Sequence, residues 1–317
     1  MTLEHKAQLI GDICSAALTG LMVLAAELLG DTEIVFPEIT ALTVGALCAP
    51  KLAWRTSRLR CVVFIALCAA LGLCASMFLP LPLFAKVILM FAVCQILFVF
   101  SGTSFAPMIS AAVLPVLMGC ESIAYPISAV TMAALVMLAN LLLTKAGLRS
   151  EEKFVPLESP TRRELLDVLL RVALAAVLIF AAITAGWKFC IAPPLLVAFT
   201  EFSKRECPAR KKPVRAVAVI VLCAAWGAAA RGVLCAWLGL PLFAAAIIAC
   251  AAAILTVRKA GMFLPPAGAL AILPMIIPLE CLTTYPLQIA AGAAVLMALA
   301  LAVFREKPLP NPNTKGN

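Results

Sequence analysis

Gly102 to Pro126 reads GTSFAPMISAAVLPVLMGCESIAYP, and Gly261 to Pro286 reads GMFLPPAGALAILPMIIPLECLTTYP. Gly102 aligns with Gly261, Pro107 with Pro266, Pro115 with Pro274 and Glu121 with Glu280, all at one offset of 159 residues (261 − 102 = 159). Tyr125-Pro126 aligns with Tyr285-Pro286 one residue further on. The chain has only 2 tyrosines and both fall in this match, so it reads as two copies of one unit. Outward from here, Pro82-Leu83-Phe84 aligns with Pro241-Leu242-Phe243, and Phe36-Pro37-Glu38 with Ala192-Pro193-Pro194. The matched landmarks are prolines, glycines and acids. Those residues set backbone path and site chemistry, whereas apolar residues drift freely in lipid.

Apolar residues make up 64% of the chain, charged residues 13%, and the mean hydropathy is +1.09. Soluble domains run about 45–50% apolar and about 25% charged, so the composition predicts a polytopic membrane protein whose main partner is the lipid bilayer. The net charge of +9 does not imply nucleic acid, because the basic residues sit in short blocks between apolar runs. The 13 cysteines are scattered singly, without C-x-x-C, and read as small buried apolar residues. The first apolar run, Ile13 to Leu29, follows a weakly charged start and lacks a small-residue cleavage site. It reads as a retained span rather than a signal peptide.

Apolar runs predict six membrane segments per half, at 9–29, 36–53, 61–79, 82–101, 105–120 and 125–144, then 166–187, 192–203, 214–238, 241–257, 263–279 and 285–304. The runs at 105–120, 192–203 and 263–279 are short or proline-broken, as a half-helix or re-entrant segment would be. The expected fold class is all-α: a membrane helix bundle of two pseudo-symmetric repeats. Residues 1–145 form the first repeat, 146–165 a cytoplasmic linker, 166–305 the second repeat and 306–317 a cytoplasmic tail. Basic blocks (Lys51 to Arg60, Lys145 to Arg163, Lys204 to Arg215, Arg258-Lys259, Arg305 and Lys307) follow even-numbered segments, while Asp31, Glu33, Glu121 and Glu280 mark the other side. Both termini are then expected in the cytoplasm of an inner or plasma membrane protein, with parallel repeats. Losing one segment per half would make the repeats inverted.

In hydrocarbon each peptide group must be paired within its segment, and proline removes one donor. Gly102-Thr103-Ser104 ahead of Pro107, and Gly261 ahead of Pro265-Pro266, read as helix breaks followed by helix starts. Helix starts present unpaired N–H groups and partial positive charge, which suits an anion. Two such breaks facing one centre would form a substrate site from Gly102, Thr103, Ser104, Pro107, Gly261, Pro265 and Pro266. The competing reading is that the prolines only kink or end spans.

Arg231, deep in an apolar run, would neutralise the anion or pair with Glu27, or else snorkel between Trp226 and Trp237. Lys86 and Lys188 lie near segment ends, where snorkelling explains them. Glu121 and Glu280 are the paired ionisable candidates for proton coupling if buried, or hydrated loop residues if not. Glu38 reads as a helix-start cap; its aligned partner is Pro194, which excludes it from a symmetric site.

No enzyme is expected. The one histidine, His5, lies outside the first segment, and no metal-ligand spacing, G-x-S-x-G or Walker motif is present. No cofactor or metal is expected either.

Leu264-Pro265-Pro266-Ala267-Gly268-Ala269, followed by an apolar run and Tyr285-Pro286, resembles the HPP family of small membrane proteins, and Phe36 to Leu42 is similar to segments of that family. The family takes its name from a His-Pro-Pro motif and includes members implicated in nitrite transport. Here Leu264 stands at the histidine position, the first unit has Ala106-Pro107, and two units stand where the family would have one. The resemblance implies a transporter. The expected function is secondary transport or export of a small anionic solute between the two repeats. A passive anion channel and a non-transporting scaffold or partner subunit are the alternatives. A homo-oligomer is compatible with such a bundle.

Overall fold

A computed structural model describes residues 3–151 and 153–305. These residues form helices and no strand. Lys307 and the tail at 306–317 lie outside the described residues. The first half runs α1 (Leu3–Leu29), α2 (Glu38–Thr43, continued by a π-turn to Cys48), α3 (Arg58–Phe78), α4 (Leu83–Phe100), α5 (Pro107–Met118) and α6 (Ala124–Lys145). The second runs α7 (Arg162–Thr184), α8 (Pro193–Phe202), α9 (Pro213–Ala229, continued by a π-segment to Trp237), α10 (Leu242–Lys259), α11 (Pro265–Ile272) and α12 (Tyr285–Val303). Each half follows the order long, short, long, long, short, long.

Among the described residues 8 helices are long and apolar enough to cross a membrane. Their outward faces carry large apolar side chains such as Leu28, Leu59, Phe78, Phe100, Val177 and Trp237. In water that surface would be prohibitive; in lipid it is the solvated face. The chain is an integral membrane protein built as a helical bundle.

The other four helices are short and lie inside. Every residue of α2, α8 and α11 except Glu201 is buried, and α5 is buried but for Met118. The run expected as a full span at 36–53 is instead the brief α2 with its π-turn. Residue 36–53 hydropathy alone could not separate these cases, because a buried interior helix and a lipid-facing one are equally apolar. At about 1.5 Å per residue, α5 covers about 18 Å, well below a ~30 Å hydrocarbon core. It nonetheless carries the chain across the bundle. Arg60, in the first turn of α3, donates to Ser101 O just before α5 (2.9 Å). At the opposite end Glu33 accepts the N–H groups of Glu121 (3.0 Å) and Ser122 (2.7 Å), just after α5.

Chain direction follows from similar contacts. Arg58 reaches Asn140 Oδ1 (2.8 Å) and Thr144 Oγ1 (2.9 Å), so α6 ends where α3 begins. Arg258, at the end of α10, holds Asp12 near the start of α1 (2.6 and 2.7 Å). Arg205 holds Asp167 in α7, and Arg210 caps the carbonyls of Ala300 and Phe304 at the end of α12. One end of the bundle is therefore basic. The other carries Asp31, Glu33, Glu121 and Glu280. The first turns of α1 and α7 and the last turns of α6 and α12 all lie at the basic end.

Two glycines let backbones meet. Gly72 on α3 faces the Ala112 carbonyl of α5, and Gly227 on α9 faces the Ala271 carbonyl of α11; a Cβ at either would overlap that oxygen. Each half also locks its short helix with a tyrosine. Tyr125 O–H donates to Ala111 O (2.8 Å) and Tyr285 O–H to Leu270 O (2.8 Å). The halves interlock: α1 packs on α10, α4 on α7, α2 on α11 and α5 on α8.

Candidate functional site

The four short helices meet in the middle, and the one acid buried among them is Glu38. It stands in the first turn of α2 at 1% exposure. Its Oε1 accepts the hydroxyl of Ser110 on α5, and its Oε2 has no hydrogen-bond partner. No basic side chain is paired with it among the described residues. The next residue along α5, Ala111, receives the Tyr125 hydroxyl, so Glu38, Ser110 and Tyr125 lie side by side. Further along α2, Thr40 shares its hydroxyl with Thr19 of α1 (3.1 Å), which donates to Cys250 Sγ of α10 (3.6 Å). Gly268 of α11 lies against Thr40.

The elements that correspond to α1, α2 and α10, namely α7, α8 and α4, carry a different polar set. Arg171 of α7, at 6% exposure, donates to Gln95 Oε1 of α4, and Gln95 Nε2 donates to Thr200 of α8 (2.6 Å). The Arg171 guanidinium lies over the Phe304 ring, 6.0 Å from its centroid. Nearby, Trp54 Nε1 reaches Glu201 at the end of α8 (3.4 Å).

Two cavities open on opposite ends. At the basic end a space of about 400 Å³ is lined by Lys51, Arg58, Arg149, Lys153, Glu151 and Asn140. At the acidic end a crevice of about 140 Å³ lies between the halves, with Glu33, Cys120 and Tyr125 on one side and Ile276 on the other. Burial, and then the neighbouring Glu33 carboxylate, push the Cys120 thiol up to about 12, so it stays protonated there. Helix α2 runs between these spaces. Tyr125, beside Glu38, lines the acidic-end crevice, and the carbonyl of Ala46 near the other end of α2 binds Asn140 of the basic cavity (2.8 Å).

The residues singled out from sequence are placed as follows. Gly102 (φ 64°) and Gly261 (φ 58°) end α4 and α10 in the left-handed conformation, both at the basic end. Gly102 O accepts Leu157 N–H from the connector (2.8 Å), and Gly261 is exposed. Thr103 Oγ1 accepts Phe105 N–H (3.3 Å), and Ser104 Oγ accepts Arg55 N–H (2.8 Å), so both hydroxyls fasten the loop ahead of α5. Pro107, Pro265 and Pro266 occupy the first turns of α5 and α11 and are buried. Both helix starts lie at one end of the bundle, but α5 packs against α8 and α11 against α2, and neither of the two cavities is lined by these residues.

Arg231 lies in the π-segment after α9 and donates to the carbonyls of Pro274 and Ile277, which end the α11 segment. Glu27 does not pair with it: its carboxylate accepts the N–H groups of Leu242 (2.5 Å) and Phe243 (3.0 Å) at the start of α10. Lys86 reaches Ser76 O (2.9 Å), and Lys188 lies over Phe189. Glu121 and Glu280 are exposed in loops at the acidic end.

Sequence reasoning misses Glu38, because its aligned partner is a proline and a symmetric site leaves it out. It also misses Arg171, which could be found by the test applied to Arg231, a cation well inside an apolar run. Compared with protein-family models, curated proteins and solved structures, the chain gives no match.

Proposed function

We propose that the chain is a secondary transporter of a small anion. Its two six-segment halves act as parallel pseudo-symmetric repeats, and its solute path passes the four short helices. The observation that carries this reading is the central set itself: α2, α5, α8 and α11, two from each half, are interior but for Met118 and Glu201, pack on one another in a ring, and enclose a buried carboxyl where α2 meets α5. Short or broken helices at mid-depth are how secondary transporters hold solutes, and an ionisable group inside a membrane bundle is expensive unless it serves a function. Matching tyrosine and glycine contacts in the two halves support the repeat. The basic end, read as cytoplasmic from its charge, offers a cation-lined vestibule to an anion. The HPP-like segments support nitrite as the first solute to try. Glu38 adds a constraint: an anion passing an ionised carboxylate would be repelled, whereas it passes a protonated one freely. Anion and proton then travel together.

Proteoliposomes with an inward proton gradient test this. Nitrite should accumulate, and the accumulation should collapse with a protonophore. Uptake indifferent to the gradient would make the protein a channel, and no flux of any small monovalent anion would leave a scaffold or partner subunit.

A further inference from the structure

We propose that Glu38 is a proton-exchange site: its carboxyl holds a proton in this closed arrangement and trades it with water from the outer crevice past Tyr125. The protonated state follows from the geometry; that the proton is carried across the membrane rests on the transport reading above.

Magnitudes decide the charge state. An ionised carboxylate here would have one hydroxyl donor and no cation, and an unpaired buried charge costs several kcal/mol. A neutral carboxyl with one oxygen unsatisfied costs about 1–3 kcal/mol. The neutral form wins, with the proton on Oε2 and the Ser110 hydroxyl donating to Oε1. Every neighbouring element leaves this unopposed. From α5 comes only Ser110, from α6 the Tyr125 phenol, from α12 the Tyr285 phenol, and from α1 the Thr19 hydroxyl that meets Thr40; α11 presents Gly268. The nearest acids on the outer side, Asp31 and Glu33, are bound to Ser122 and to the 121–122 backbone. Release therefore needs water at Oε2. The crevice between Tyr125 and Ile276, contributed by opposite halves, is where a small separation of the halves would admit it. The proton passes from Oε2 to that water, and the carboxylate left behind keeps its Ser110 hydrogen bond.

Infrared spectra of the purified full chain in lipid nanodiscs read this directly. At neutral pH wild type should show a protonated-carboxyl C=O band that is lost in Glu38→Gln and bleaches only well above the ordinary carboxylate range. The band should shift on transfer to D2O. In Ser110→Ala, which keeps the acid, it should move to higher frequency through loss of the hydroxyl donor. Superimposable wild-type and Glu38→Gln spectra, a band unmoved by D2O, or a band unmoved in Ser110→Ala would each overturn the proposal. The two readings fail separately. A band without nitrite flux defeats the transporter and leaves the proton site, whereas flux without the band does the reverse.

Discussion

Glu38 and Pro194 hold aligned positions in the two halves, and only the first can ionise. A proline at the start of a helix only shapes the backbone. A carboxyl there, closed in by α5 and α11, must be neutral or matched. Glu38→Gln keeps the shape of the protonated acid, so it should express, run as a monodisperse species and melt within a few degrees of wild type. Glu38→Lys places an unmatched cation in the same spot and should fail to accumulate. Size-exclusion of a fluorescent fusion reads both. The tyrosines make a second residue-scale test. Tyr125→Phe and Tyr285→Phe each leave one buried carbonyl, Ala111 or Leu270, without its donor, at a cost of about 1 kcal/mol. Thermal melts should show similar losses for the two, and a neutral result at either would remove that hydrogen bond from the account.

At the scale of elements, short helices survive inside lipid because their neighbours come close enough to enclose them. Helix α5 is held by Pro107 in its first turn and by the left-handed Gly119 at its end, where Cys120 N–H returns to Pro115 O (2.8 Å). Its wall against α3 depends on Gly72, and the wall of α11 against α9 on Gly227. Alanine at either should destabilise by about 1–3 kcal/mol through forced separation of the two backbones. Gly232, with open space at its Cβ position, is the control and should tolerate alanine. Detergent-resistance midpoints for the three variants give the comparison; equal behaviour would mean that the close approach is not needed.

For the molecule as a whole, the halves are not separate bodies joined by a strap. Helix α1 is clasped by α10 and α4 by α7, so any rocking of the halves must slide these pairs. The Asp12–Arg258 pair fastens one of them at 22% and 30% side-chain exposure. Partial solvent screening limits its contribution to about 1 kcal/mol. A double-mutant cycle with Asp12→Asn and Arg258→Gln should return a coupling of that size. If the pair also restrains rocking, either single variant should change the rate of nitrite uptake more than its accumulation. The vestibule gives a charge test at the same scale: Lys153→Glu should slow nitrite entry, and the loss should shrink as salt screens the field.

What the sequence settled by itself is the solvent and the helical class. Apolar runs and basic blocks already declare a lipid-embedded, all-helical chain, since transfer into hydrocarbon acts on each residue almost independently of its neighbours. The repeated prolines and glycines mark the starts of α5 and α11 for the same local reason. Which helices lie inside was decided only in three dimensions, because an interior helix and a lipid-facing one present the same hydropathy to a reader of the chain. So were the fates of individual charges. Glu38 is enclosed because α5 and α11 close over it, Arg231 is spent on two carbonyls that α11 brings to it, and Glu121 and Glu280 stay in water because their loops clear the bundle. A charge in membrane is ruled by what packs against it, and that packing comes from residues distant along the chain.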